Sequence, residues 1–248
     1  MIELRDVTYH AGDRAILKNV DLFVPERGIT CVVGLSGAGK TTVLRLLMGL
    51  LKPDSGQILI DDKDITVMRE SELNELRKSM GFVFQYGALF DSLTVWENVA
   101  FGLVRHTNKS RAEIDHAVKD RLEAVGLNGV EQLLPSQLSG GMQKRVSMAR
   151  ALAMNPDIVL YDEPTSGLDP IMSNVIDQLI VSLRDRYGTT SVVVSHDIQS
   201  VFRMSDEIAL LINGRIITEG TPDELRASDN PMVKQFVSGS ADGPIKVH

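Results

Sequence analysis

Short apolar runs separated by turn residues fill the first sixty positions of the chain. The turn signals are Gly12-Asp13, Pro25-Glu26-Arg27-Gly28 and Pro53-Asp54-Ser55-Gly56, and this spacing is typical of consecutive β-strands. Between residues 29 and 48 an apolar run passes through a glycine-rich loop into an apolar helix, which is the order of a parallel α/β layer. The sequence therefore predicts a β-rich opening that leads into an α/β core.

The middle third of the chain carries two capping-box patterns and is predicted to be helical. Thr94 and Ser110 are each followed three residues later by a glutamate, Glu97 and Glu113. In this pattern the hydroxyl caps the helix and the glutamate reaches back to the cap residue. Helices are therefore expected to begin just after residues 94 and 110.

The last third returns to short apolar runs. Residues 158–161 and 191–194 predict buried strands, separated by a helix that Asp169-Pro170 opens, and Asn213-Gly214 predicts a hairpin. We find no repeat, low-complexity segment or linker. The chain is therefore predicted to form one α/β domain over residues 1–230, with an inserted helical subdomain at about 86–155 and a tail at 231–248 whose apolar residues recur at helical spacing.

Composition narrows the function classes. The 33 acidic against 26 basic residues give a net charge of −7 without a dense basic run, so nucleic acid is not expected as a partner. No apolar run approaches the roughly 18 residues that span a bilayer, and the charged start lacks the apolar stretch of a signal peptide. We expect a cytosolic globular protein, held at a membrane only by a partner. The single cysteine, Cys31, lies in an apolar run, which predicts a buried strand thiol.

Residues 34–41 match the phosphate-binding P-loop. The run Gly34-Leu35-Ser36-Gly37-Ala38-Gly39-Lys40-Thr41 follows a predicted strand and opens a predicted helix, as the pattern requires. The glycines let backbone N–H groups face phosphate, and the helix N-terminus adds positive potential. Lys40 is expected to neutralise the β and γ oxygens and Thr41 to offer its hydroxyl to Mg²⁺. The alternative, a flexible turn, does not account for this context.

Two adjacent carboxylates follow the apolar run at 158–161. Asp162 and Glu163 are thus expected at the carboxyl end of a buried strand, where α/β sheets place their ligand chemistry. Asp162 is predicted to hold Mg²⁺ through its water shell, and Glu163 to orient and deprotonate the attacking water. Alone, the pattern would more often be a strand meeting solvent, but a P-loop upstream favours the catalytic interpretation.

A second phosphate-gripping pattern identifies a family. Ser139 is expected to cap a helix whose first residues, Gly140 and Gly141, bare the backbone N–H groups toward an anion. The run Leu138-Ser139-Gly140-Gly141-Met142-Gln143-Lys144-Arg145 resembles the signature of the ABC ATPases, although Met142 stands where that family more commonly has glutamine. The resemblance implies that the anion is the γ-phosphate held by a second copy of the chain, so that two ATP sites are each built from two chains.

The remaining family positions are also filled. The resemblance implies that Tyr9 stacks on adenine, Gln85 links Mg²⁺ and water to a transmembrane partner, Asp169 makes a contact across the dimer, and His196 senses the γ-phosphate. Each has a plainer alternative, which is an exposed strand aromatic, a loop amide, a helix cap and a strand-end residue, respectively. The family fold is an α/β P-loop (RecA-like) core with an N-terminal antiparallel β-subdomain and an inserted α-helical subdomain.

The expected cofactors are ATP and Mg²⁺. Glu163, His196 and Gln85 are the predicted catalytic residues, and the predicted metal ligands are Thr41, Gln85 and Asp162. The residues predicted to bind the nucleotide, in one copy or across the pair, are Tyr9, Gly34, Ser36, Gly37, Ala38, Gly39, Lys40, Thr41, Thr42, Ser139, Gly140, Gly141 and Asp169.

Two further stretches resemble the lipid-trafficking, Mla-type branch of the family. They are Gly87-Ala88-Leu89-Phe90 after Gln85 and Asp242-Gly243-Pro244-Ile245 in the tail. The resemblance implies a peripheral subunit at the cytoplasmic face of the inner membrane, paired with a second copy. Its partners would be transmembrane permease subunits and lipid-binding periplasmic or membrane-anchored subunits. Its cargo would be phospholipid.

Several alternatives remain at this point. The ATPase could serve an importer or exporter of small solutes, or act mechanically on DNA or ribosomes without a transporter. A P-loop kinase would leave the signature unexplained. The apolar loop at 86–93 could dock a partner helix or fill the core of the helical third, and the tail could pack on a neighbouring copy or on its own body.

Overall fold

The computed structural model describes residues 1–246 of the 248-residue chain; the last two residues of the predicted tail, 247 and 248, lie outside the described residues. None of the helices within residues 1–246 is both long enough and apolar enough to cross a bilayer. The strands and α-helices, in chain order, are β1 (Ile2–Ala11), β2 (Arg14–Val24), β3 (Ile29–Val33), α1 (Lys40–Leu47), β4 (Ser55–Ile60), β5 (Lys63–Asp64), α2 (Glu70–Lys78), β6 (Met80–Val83), α3 (Val95–His106), α4 (Arg111–Ala124), α5 (Gly140–Leu152), β7 (Ile158–Asp162), α6 (Pro170–Tyr187), β8 (Thr190–Ser195), α7 (Ile198–Met204), β9 (Glu207–Ile212), β10 (Arg215–Gly220), α8 (Pro222–Ala227) and α9 (Pro231–Ser238).

The chain folds into two compact units, one made of residues 1–68 with those from 192 onward, and one of residues 69–191. In the first unit β1, β2, β4 and β5 form an antiparallel sheet in the order β2-β1-β4-β5. Ile2 and Leu4 on β1 are buried opposite Val24 and Leu22 on β2, because alternate residues of a strand point to the same face. The predicted β-rich opening is confirmed.

A second group of strands in the first unit carries the phosphate loop. β3 is buried along its whole length, Cys31 included, and pairs in parallel with β9. β9 turns into β10 through Asn213 and Gly214, whose φ angles of 50° and 79° are those of the turn predicted from the Asn-Gly pair. A Cβ at Gly214 would lie 2.3 Å from the carbonyl oxygen of Ile16, so this turn also requires glycine for packing.

The second unit holds the helices of the predicted insertion and the strand pair β6 and β7. The two strands are parallel, with Val83 opposite Tyr161, and helices α3, α4 and α5 pack against one another. Both predicted capping boxes are present. The amide of Thr94 donates to Glu97 at 2.7 Å while the amide of Glu97 donates to the Thr94 hydroxyl at 3.2 Å, and Ser110 caps α4 in the same way.

The tail is tied to α9 of its own chain. Gln235 is buried on this helix, and its carboxamide brackets the backbone of Ile245: Oε1 accepts from the amide at 2.7 Å and Nε2 donates to the carbonyl at 3.1 Å. The Ile245 side chain is itself buried. These bonds lie within the predicted tail, whose helix α9 also packs against α8 of the same chain; a contact with a neighbouring copy stays a prediction. The buried Gln235 was not foreseen, because the helical spacing was read from the apolar residues Met232, Val233, Phe236 and Val237, of which Val233 is buried.

Candidate nucleotide-binding site

The loop between β3 and α1 in the first unit admits only glycine at two positions. A Cβ on Gly34 would lie 2.1 Å from the carbonyl oxygen of Leu211, and one on Gly39 would lie 2.8 Å from the side chain of Leu17. Gly39 also has a φ of 108°, a value that L-residues with side chains rarely adopt. The sequence pattern thus has a packing reason in addition to its phosphate-binding reason.

The loop presents the features that hold a phosphate. Gly39 is the N-cap residue of α1 and supplies no side-chain acceptor, so the N-terminus of the helix is not covered from that position. Lys40 is buried, and its Nζ donates to the carbonyl oxygens of Gly34 at 2.9 Å and Leu35 at 3.2 Å. A cation and a glycine-lined helix N-terminus fit the phosphates of a nucleotide.

Two other predicted residues lie in the first unit. Tyr9 is half-buried on β1, opposite Leu17. His196 is exposed and directly follows β8. The next residue, Asp197, caps α7 by accepting from the amides of Gln199 and Ser200, so the plainer alternative for His196, a strand-end residue, is present in the structure.

The second unit places both carboxylates at the end of β7, as predicted. Asp162 is the last residue of the strand and Glu163 follows it, and each is 9% exposed. Glu163 has a φ of 48°, in the left-handed region that costs a residue with a side chain about 1–3 kcal/mol. Its carbonyl oxygen accepts from the amide of Ser166 at 3.1 Å. The general-base candidate therefore lies on a strained turn that its neighbours hold.

Gln85 lies at the same edge of the β6 and β7 pair. Because Val83 is opposite Tyr161 in a parallel ladder, the residues that follow the two strands leave the sheet together. The Gln85 amide donates to the Ser166 hydroxyl at 3.2 Å. The structure thus brings Gln85, Asp162 and Glu163 to one edge, and their oxygen donors suit Mg²⁺.

The signature run opens α5 as expected. The Ser139 hydroxyl caps the helix by accepting from the amide of Met142 at 3.3 Å. Gly140 is exposed, with nothing within 4 Å of a Cβ placed there, whereas a Cβ on Gly141 would lie 2.8 Å from the side chain of Met172. The N-terminus of α5 is therefore open to an anion from outside.

Asp169 caps the helix that follows, α6. Its carboxylate accepts from the amides of Ile171 and Met172, each at 3.0 Å. The plainer alternative for Asp169, a helix cap, is thus present in the structure. Asp169 is exposed, and its contact across a dimer stays a prediction.

Sequence reasoning missed the position of Lys144. This residue is buried on α5, and its Nζ donates to the carbonyl oxygen of Gln85 and, at 3.4 Å, to that of Glu163. Burial lowers the pKa of Lys144, and the negative charge of Glu163 acts in the opposite direction. No local pattern reveals these contacts, because the partners lie 59 and 19 residues away along the chain.

The second unit contains a groove of about 850 Å³ beside the loop that was predicted to dock a partner helix. Its lining includes the side chains of Arg77, Lys78, His106 and Arg150, of which Arg77 and Lys78 are ion-paired with glutamates. Of the loop predicted to dock a partner, Phe90 lines the groove and is 43% exposed, while Leu93 is not among the lining residues. The aromatic and sulfur-containing residues of the lining are Met80, Phe82, Phe84, Phe90, Phe101 and Met154.

Asn98 holds the loop beside the groove. It is fully buried on α3, and its carboxamide accepts from the amide of Phe90 at 2.8 Å and donates to the Phe90 carbonyl at 3.1 Å. It also donates to the carbonyls of Leu93 and Thr94. The backbone that presents the exposed side chain of Phe90 is therefore fixed.

The model of the ABC transporter family matches residues 17–166 of the chain. The chain belongs to the ABC transporter family. Membership of the ABC family confirms the predicted α/β ABC ATPase fold, the recognition made from the signature run, and the ATPase activity. This chain is similar along nearly its whole length to the intermembrane phospholipid transport system ATP-binding protein MlaF of Escherichia coli K12. The identity is 44% over 245 residues, which cover 99% of this chain and 91% of the relative.

Other ABC relatives differ in their named roles. The chloroplastic protein TRIGALACTOSYLDIACYLGLYCEROL 3 of Arabidopsis thaliana is 42% identical over 99% of this chain and 76% of its own. A probable ribonucleotide transport ATP-binding protein, mkl, of Mycobacterium tuberculosis is 39% identical over 98% of this chain and 68% of its own. Among solved structures, the dimeric ATP-binding cassette MJ0796 bound to ADP and Pi matches with a TM-score of 0.81 at 36% identity, over 90% of this chain and 99% of that one.

Proposed function

We propose that this ABC ATPase works as a pair of copies that bind two Mg-ATP and drive a separate transmembrane permease, which moves phospholipid. The observation that carries the proposal is the open N-terminus of α5, where Gly140 is exposed and Ser139 caps the helix. A P-loop kinase or a solitary ATPase has no use for a second phosphate-binding helix end. An ATPase whose two copies close around ATP needs such a second helix end, because each copy then contacts the phosphate bound by the other.

The nucleotide site in this proposal uses the P-loop for the phosphates. Backbone amides of residues 34–41 and the Lys40 ammonium bind the β and γ oxygens, and Tyr9 packs on adenine. Thr41, Gln85 and Asp162 offer oxygens to Mg²⁺, which when bound neutralises phosphate charge. The glycine-only packing of the loop and the oxygen donors at the edge of β6 and β7 support these assignments.

Hydrolysis in this proposal depends on Glu163 and His196. Glu163 takes the proton of the attacking water, Gln85 orients that water, and His196 hydrogen-bonds the γ-phosphate. From the second copy, Ser139, Gly140 and Gly141 grip the same phosphate. The solved dimeric cassette with ADP and Pi, 36% identical to this chain, supports a composite arrangement, in which Asp169 contributes contacts between the copies.

Phospholipid is the proposed cargo. MlaF of E. coli is named for intermembrane phospholipid transport, and it resembles this chain over nearly its full length. In that setting the chain works at the cytoplasmic face of the inner membrane, with permease subunits and lipid-binding periplasmic or membrane-anchored subunits. The mycobacterial relative is 39% identical to this chain and is named for probable ribonucleotide transport. A transporter of small solutes is therefore the second candidate.

Cargo is tested by isolating the transporter that contains this chain from its own membranes and reconstituting it in vesicles. Phospholipid that co-purifies and moves between vesicles only with ATP is the expected result. The matched control carries Glu163→Gln, which should assemble but not move lipid. Stimulation of ATPase activity by a nucleotide or another small solute, with no lipid movement, would favour the second candidate.

The permease contact is proposed to lie in the groove beside Phe90. The groove is lined by aromatic side chains and by the guanidinium of Arg150, and no Asp or Glu is among its described lining residues. The other two lining cations, Arg77 and Lys78, are paired with Glu70 and Glu75 outside the lining. This pattern fits a short helix with apolar residues and at least one carboxylate. The same loop begins at Gln85, so the seated helix would respond to the nucleotide state.

Replacing Phe90 by alanine is expected to release most of the chain from permease-containing membranes, because it removes an aromatic side chain that is 43% exposed in the groove. Fold and ATP binding should persist, since Asn98 bonds the backbone of residue 90 and not its side chain. Membrane sedimentation and lipid transfer measure the effect. Val104→Ala, at a 57% exposed position of α3 outside the groove lining, is the control, and normal membrane retention of Phe90→Ala would place the docking surface elsewhere.

A further inference from the structure

Lys144 joins the signature helix to the two backbones that carry the catalytic candidates. It lies in the second turn of α5, just beyond the glycines that open the helix. Its buried ammonium donates to the carbonyl oxygens of Gln85 and Glu163. Hydrogen bonds from an ionised donor are stronger than neutral ones, so this side chain fixes two separate chain segments against one helix.

The same contacts belong to a closed ring of hydrogen bonds. The Glu163 carbonyl, 3.4 Å from Lys144 Nζ, also accepts from the amide of Ser166. The hydroxyl of Ser166 accepts from the Gln85 side chain, and the Gln85 carbonyl accepts from Lys144. Each member therefore constrains the others. Glu163 needs such constraint, because its left-handed φ of 48° persists only when the surroundings hold it.

Arg150 extends the link along the same helix. Its guanidinium donates to the carbonyl oxygens of Gly87 at 2.9 Å and Ala88 at 2.8 Å. α5 thus holds the segment from Gln85 to Ala88 at two points, with Lys144 at one end and Arg150 at the other. A displacement of α5 would move the segment from Gln85 to Ala88 as well, because both side chains bond directly to the backbone of that segment.

We propose that Lys144 is a positioning residue that sets Gln85 and Glu163 relative to the signature helix, so that engagement of α5 by a phosphate aligns the amide and the general base together. The inference rests on the proposed roles of those two residues and adds the part that couples them. General-base geometry tolerates little error, because a misplacement of about 1 Å can lower a rate about 100-fold. A lysine that holds both segments removes that error.

The alternative is that Lys144 only fills buried space. Methionine distinguishes the two, because it keeps an unbranched stem of similar length but has no N–H donor. A buried ionic group can often be replaced by an apolar side chain of similar volume without loss of stability. A purely structural lysine would therefore tolerate Lys144→Met, whereas a positioning lysine would not.

The test compares Lys144→Met with the wild-type chain in the assembled transporter. We expect kcat for ATP hydrolysis to fall at least about tenfold, with KM and the affinity for a non-hydrolysable ATP analogue within about twofold. Lys119→Met, which removes an exposed lysine from α4, is the control and should leave both unchanged. Lys144→Gln keeps one N–H donor and is expected to lose less turnover than Lys144→Met; it provides the comparison if the methionine variant does not fold.

A second readout separates positioning from general damage. When Glu163→Gln is already present, Lys144→Met should lower the residual single-turnover rate by no more than about twofold, because residues that act as a unit are not additive. An equal loss in both backgrounds, a loss that appears as weaker ATP binding, or wild-type kcat in both Lys144 variants would each overturn the inference. An inactive wild-type chain would overturn the proposed function and the inference together.

Discussion

Replacing Glu163 by glutamine is expected to lower ATP turnover at least about 100-fold while ATP binding persists. The amide keeps the size of the carboxylate and can still hydrogen-bond water, but it cannot take a proton at neutral pH. Steady-state phosphate release gives turnover, and the affinity for labelled ATP gives binding. Turnover within about threefold of wild type would remove Glu163 from the role of general base.

The structure explains why this substitution should leave the fold intact. The strained backbone of Glu163 is held through its carbonyl oxygen, which accepts from Ser166 and Lys144, and neither bond is made by the Glu163 side chain. Glu123→Gln makes the same chemical change at an exposed position of α4 and serves as the control. A shared loss of turnover in both variants would point to a general effect of charge and not to catalysis.

Local patterns predicted much of this fold, because they encode short-range geometry. Thr94 and Ser110 cap helices where expected, and Asn213-Gly214 forms the predicted turn. Asp162 and Glu163 lie at the end of β7, as predicted. The apolar run before them indicated a buried strand, and the two acidic residues indicated where that strand ends. These features depend on residues only a few positions apart.

Contacts between distant segments could not be predicted in this way. Lys144 sits in a motif that was recognised for its glycines and serine, yet its ammonium serves Gln85 and Glu163. Asn98, to which no sequence pattern assigned a role, holds the backbone of the loop at Phe90. Such assignments need the three-dimensional arrangement, since polar side chains are satisfied by whatever backbone the fold brings near them.

The second large effect concerns which chain completes each ATP site. The sequence provides one phosphate grip at Lys40, where α1 begins, and another at Ser139, which caps α5. If each site combines the Lys40 grip of one copy with the Ser139 grip of the other, then Lys40→Ala and Ser139→Arg damage the same site when they occur on opposite chains. The remaining site of that mixed pair has neither lesion.

Mixed pairs of Lys40→Ala and Ser139→Arg chains, purified through two different tags, are therefore expected to bind about half as much ATP as wild-type pairs, because a pair has two equivalent sites by symmetry. Pairs of either variant alone should bind little, since both sites carry a lesion. ATP trapped per pair with Glu163→Gln in every chain measures this without hydrolysis. Mixed pairs should trap about one ATP per pair, and pairs of either variant alone should trap nearly none.

Ser139→Arg also removes a helix cap, which by itself costs about 1 kcal/mol, so the loss of binding needs a control for stability. Ser110→Arg supplies it, because Ser110 is also an exposed N-cap serine whose hydroxyl accepts from the amide three residues further on. That variant should lose similar stability and keep wild-type ATP trapping, which would assign the effect of Ser139→Arg to the phosphate grip. Mixed pairs that trap no more ATP than the separate variants would show that each chain builds its own site, and the exposed N-terminus of α5 would then need another ligand.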